Sequence, residues 1–183
     1  MVFDAVSFFN RLTDINRLAR KYGFRFKVVS GIDDFGDALA TMQEQYPLVC
    51  VSDTSDGQFD LDNSPGTSVI KTVFMFMPHG IIEEGWQARR RCFAVMHELF
   101  RQFLSVIIRE QSRLRLDGIY IDRAIHFTEM DRYFFSGGAC AYFNIMVSKP
   151  TDLILRQDEW TEDPTPPRLS RIDVNTPKIS TKR

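Results

Sequence analysis

From Glu83 to about Arg113 the chain carries an unbroken helical pattern, with no Gly or Pro after Gly85. Phe93, Met96, Phe100, Phe103 and Ile107 step by three and four residues, so they share one helix face. Strand-like runs flank it: Ser68–Met77 before, Gly118–Met130 and Ala139–Val147 after. A helix this long cannot stay uncovered. It needs a sheet, a second helix or a neighbouring subunit against its apolar side, and Leu99, Leu104, Val106 and Ile108 spread that side beyond one stripe.

The rest of the chain supplies candidates for that cover. Phe8, Leu12, Ile15, Leu18 and Tyr22 form a helical stripe within residues 4–22, and Gly23 suits the left-handed position after a helix end. Residues 24–28 alternate as a half-buried strand does. Asp33 or Asp34 can cap a second helix, with Phe35, Leu39 and Met42 on one face and Pro47 closing it. Leu48–Ser52 suits an interior strand, and the acidic stretch 53–67, with Gly57, Asn63, Pro65 and Gly66, reads as a loop.

Along Val69–Met77, Ile70, Thr72, Phe74 and Phe76 lie on one side and Lys71, Val73, Met75 and Met77 on the other. Both sides lose polarity towards Met77, so that end should be covered on both faces. Pro78-His79-Gly80 turns the chain into the long helix, and Asp117-Gly118 turns it out again. The alternation of Ile119 and Ile121 slips before Ile125 and Phe127, which allows a bulge around Asp122-Arg123-Ala124. Gly137-Gly138 then leads into an alternating strand, giving a C-terminal hairpin. These elements predict an α+β fold: a mainly antiparallel sheet packed on one face by helices, with one long helix before the hairpin. Residues 1–155 should form a single domain. Residues 156–183, with Pro164, Pro166, Pro167 and Pro177, should form a Pro-rich basic flexible tail.

Composition narrows the function classes. A net charge of -1 in 183 residues gives no global reason to expect nucleic acid or an anionic membrane as partner. Sixteen Phe against two Trp and five Tyr place the aromatic content in core or protein interfaces. Three dispersed cysteines, Cys50, Cys92 and Cys140, argue against a disulfide framework or zinc site. The first residues lack a basic segment and a small-residue cleavage site, and no apolar run suits a bilayer, so a cytosolic product is expected.

No motif identifies a reaction. His97-Glu98 begins like a zinc-protease helix, but Arg101 stands where the second His is needed. Asp53, Asp56, Asp60 and Asp62 miss the alternate spacing of a calcium loop, and Ser64 holds the twelfth position. Arg89, Arg90 and Arg91 fan through about 200 degrees of a helix, which fits a solvated face or subunit salt bridges better than a nucleic-acid patch. We therefore assign no catalytic, cofactor-binding or metal residue. A scattered site would draw first on His79, His126, Asp122 and Glu129, in a concave polar pocket holding at least two of them.

In the order of its elements the chain resembles the small tail-completion and tail-terminator proteins of long-tailed bacteriophages. The resemblance rests on SVIKTVFMFMPHG, on the helix EEGWQARRRCFAVMHELFRQFLSVIIREQ and on the closing DRYFFSGGACAYFNIMVSKP, and spans Val6 to Leu155. It carries no functional residue with it. It implies a non-enzymatic virion component, assembled in the bacterial host cytoplasm, that self-associates into a hexameric ring. The ring would cap the tail tube and join it to neck proteins through inter-subunit sheet pairing and apolar contact. It implies no cofactor and no membrane, and nucleic acid is not an expected partner. Two other classes stay open: a cytosolic enzyme or ligand-binding domain, and an adaptor that binds through its basic tail.

Overall fold

In the computed structural model the protein is described at residues 3–41, 46–60, 66–78, 86–130, 138–151 and 156–161. The chain divides into two units, Met1–Asp152 and Leu153–Arg183. Within the second, a 3-10 turn spans Gln157–Glu159. The Pro-rich tail from Pro164 lies outside the described residues.

The first unit is α+β. Its helices are α1 (Ala5–Ile15), α2 (Arg17–Tyr22), α3 (Ile32–Thr41) and α4 (Trp86–Leu116). Its strands are β1 (Arg25–Val29), β2 (Leu48–Ser52), β3 (Asp56–Asp60), β4 (Gly66–Pro78), β5 (Tyr120–Ile121), β6 (Phe127–Glu129) and β7 (Gly138–Pro150). All seven belong to one sheet in the order β1-β2-β4-β7-β5, with β3 beside β4 and β6 beside β7. Only β1 and β2 run parallel; every other pair is antiparallel.

The centre of the sheet is the β4–β7 pair, in continuous register from Gly66↔Pro150 to Pro78↔Gly138. Thirteen residues at a strand rise of about 3.4 Å make it roughly 44 Å long. The 31 residues of α4, at 1.5 Å each, reach about 46 Å. Strand pair and helix are matched in length, and α4 packs on β7, β4 and β5.

Each flank of this pair is a strand in two parts. Five residues, 122–126, stand opposite three of β7, 144–146, between the β5 and β6 registers. Four residues, 52–55, stand opposite two of β4, 71–72, between β2 and β3. Both are bulges of two extra residues. Asp122 Oδ1 accepts from Ala124 N (3.1 Å) to hold the first. Lys71 Nζ donates to Asp53 O (2.8 Å) at the second. The slip at Asp122-Arg123-Ala124 is thus a bulge, whereas the loop expected over 53–67 is corrected: Asp56–Asp60 is a strand. It forms because the first residues of β4 would otherwise leave their backbone groups unpaired on that side.

Both faces of the Met77 end of β4 are covered, as the loss of polarity predicts. Val73, Met75 and Met77 join α1 and α4 residues in the larger core. Phe74 and Phe76 join Phe35 and Ala38 of α3 in the smaller one. Helices α1, α2 and α4 thus form the helical face, and α3 adds cover on the opposite face that the one-face expectation did not include.

The helix expected over residues 4–22 is also corrected, because it breaks at Asn16. There the backbone is extended (φ -74°, ψ 127°). Asn16 Oδ1 accepts from Leu18 N (2.8 Å) and Ala19 N (2.9 Å), capping α2, while Nδ2 donates to Gln102 Oε1 of α4 (2.8 Å). Gly23 ends α2 at φ 75°. Helix α3 starts earlier than an Asp cap would place it: Asp33 and Asp34 lie in its first turn, and Asp34 Oδ2 accepts from Ser30 N (2.7 Å). Met42, Glu83, Gly85 and Gly137 fall outside the described residues.

Candidate functional site

Of the four residues that a scattered catalytic site would draw on, Asp122, His126 and Glu129 lie among the described residues, along the β5–β6 flank. His79 lies outside the described residues. Asp122 and His126 are exposed on the β5–β6 bulge, where Asp122 is engaged with the Ala124 backbone. Glu129, on β6, accepts from or pairs with His97 Nε2 of α4 at 3.0 Å, with both side chains half exposed. An open groove of about 560 Å³ contains Glu129 and His97 with Trp86, Arg89, Phe93 and Ala94. A separate one of about 370 Å³ contains Asp122. Neither of these two grooves holds two of the four.

The polar groups around Glu129 tie β6 to α4. Arg89 Nη2 donates to Met130 O (2.7 Å), and its guanidinium lies 5.2 Å from the Phe93 ring centre. The His97 ring lies 4.3 Å from Phe127, and Phe100 packs on Phe127 at 5.0 Å. This layer anchors the short strand β6, and Arg89 serves it from a position that sequence reading places on a solvated face. Glu98 turns away to Arg101 and Gln102, and those hydrogen bonds lower its carboxyl pKa to about 2.

Two of the thiols sit well above their ordinary pKa. All three cysteines are buried. Burial pushes Cys50 up to about 12 and Cys92 to about 11, so both stay protonated. Among the described residues no group of three or more His, Cys, Asp and Glu is arranged to hold a metal ion, and no helix is long and apolar enough to cross a membrane.

What the molecule does present is edges. At the level of Gly66–Ile70 the strands run β3-β4-β7-β5, so β3 and β5 bound opposite sides of one row. Among the described residues neither β3 nor the β5–β6 strand has a second strand neighbour. Beside β5–β6, under the outer flank of α4, lies the groove of about 370 Å³ formed by Leu104, Ile107, Ile108, Gln111, Asp122, Arg123 and Ile125. Helix α1 covers the other flank of α4, through Phe9 against Phe103 (5.7 Å) and Asn16 against Gln102. Among the described residues the outer flank keeps no such cover: Ile108 is 68% exposed. No protein-family model and no curated protein matches this chain.

Proposed function

We propose that the protein is a structural component of a long-tailed phage particle, a tail-terminator or tail-completion subunit. In this role copies self-associate into a ring that caps the tail tube and meets the neck. The observation that carries the reading is the pair of opposite sheet edges on one row of strands, neither with a second strand neighbour among the described residues. A subunit with two different free edges can pass the same contact from copy to copy, and such a head-to-tail contact closes into a ring when its rotation permits. The resemblance of the element order to that of the tail-terminator group supports the same role.

Electron microscopy of tail tubes assembled with and without the protein tests the role. The proposal predicts a ring of density at one tube end and a defined tube length when the protein is present. Tubes with bare ends in both preparations would contradict it.

A further inference from the structure

We infer that the contact between copies is edge to edge and of one polarity: strand β3 of one copy docks along the β5–β6 edge of the next and seats Phe59 in the groove beneath α4. The inference rests on the ring reading and gives it an interface.

Face parity is the main support. Residues paired across antiparallel strands point to the same side of a sheet. Phe59 is paired with Thr67, two and six residues from Val69 and Val73 along β4, and Val73 lies in the core beneath α1 and α4. Phe59 therefore stands on the helical face of the sheet, 59% exposed. The groove beside β5–β6 opens on that same face, because Leu104 and Ile125 pack against the same core. A strand added at that edge brings its helical-face residues under the outer flank of α4. Phe59 is the large apolar residue β3 has to offer there, and Ile108 is the exposed one waiting.

Charge fixes which edges meet. Residues 53–60 contain Asp53, Asp56 and Asp60 and no Lys or Arg. Helix α4 contains seven Arg against Glu98 and Glu110, a formal charge of +5. Arg101, Leu104, Ile108, Gln111 and Arg115 follow one another by three or four residues, which sets the apolar centre of the outer flank between Arg101, itself paired with Glu98, and Arg115, with Asp122 and Arg123 across the groove. Two β3 strands laid together would oppose aspartates, whereas β3 against this flank meets the net positive charge of α4. The occupant is thus a second copy of the chain, entering acidic edge first.

Disulfide trapping tests the geometry. Phe59→Cys and Ile108→Cys are each made at exposed positions, and the three native thiols are buried. Circular dichroism and thermal melting first establish that each variant folds as the wild type does. On mild oxidation the equimolar mixture should give a dimer of twice 21.2 kDa joining one variant to the other, at least tenfold more abundant than either self-linked dimer. A predominant Phe59→Cys dimer with itself would overturn the polarity. Absence of the mixed dimer, with wild type oligomeric alone or on tail tubes, would overturn this interface and leave the ring. Wild type monomeric in both settings would overturn the ring and the interface together.

Discussion

Removing the Phe143 ring tests how the sheet, α1 and α4 are held as one body. Phe143 lies on β7, fully buried, with its ring 5.8 Å from Phe9 of α1 and 4.8 Å from Phe100 of α4. Truncating a buried Phe to Ala costs about 3–5 kcal/mol through lost transfer energy and the cavity left behind. The two ring pairs account for about 1–3 kcal/mol of that, at roughly 0.5–1.5 each. Phe143→Leu keeps most of the apolar area and loses both pairs, so it should fall near that smaller figure. For a domain stable by about 5–15 kcal/mol, Phe143→Ala removes a large share of the total. With a urea dependence of about 2 kcal/mol per molar, the midpoint should drop by roughly 1.5–2.5 M at fixed protein concentration. Tryptophan fluorescence and far-ultraviolet dichroism should report one coincident transition. A drop below about 0.5 M with unchanged slope would refute the bridging role of Phe143.

Other positions give independent readouts. A Cβ at Gly138 would lie 2.6 Å from Met77 O and against the Phe76 ring, so Gly138→Ala should destabilise by about 1–3 kcal/mol in the same urea experiment. Asn16→Ala removes the α2 cap and the bond to Gln102 and should cost about 1–2 kcal/mol, while Asn16→Asp should recover the capping part alone. Because burial raises Cys50 from its ordinary 9.0 to about 12, this stabilisation is intact below pH 9 and is lost as pH rises towards 12. Native protein at pH 8 should accordingly leave all three thiols unreactive to iodoacetamide, and denatured protein should show three reactive ones.

The central architecture was legible because its residues report burial directly. In β4 the apolar character of Phe74 and Phe76 on one side and Met75 and Met77 on the other signalled two covered faces, and two cores meet there. In α4 the spacing of Phe93, Met96, Phe103 and Ile107 marked the buried face, while Phe100, read on the same face, is only partly buried. Leu99, which sequence reading sets beyond that stripe, is buried as deeply. The missed features are those where tertiary or local polar contacts outweigh pattern. Asp56–Asp60 has the composition of a loop and becomes a strand because β4 needs a partner. The apolar stripe continues through Asn16, so only the competing side-chain cap reveals the break. Helix α3 was placed, but its face was not, since periodicity gives no side of a sheet. The outer flank of α4 was visible as surplus apolarity at Leu104 and Ile108; that it ends in an open groove beside an edge strand depends on the β5–β6 bulge.

The mass of the assembled protein tests the central claim most directly. Native mass spectrometry of the purified protein, alone and released from tail tubes under mild conditions, should yield a closed integer multiple of 21.2 kDa, the hexamer first. Because the proposed contact sets an acidic strand against a basic helix flank, that species should weaken as salt rises. A mass of 21.2 kDa alone, with nothing retained on the tubes, would contradict the account.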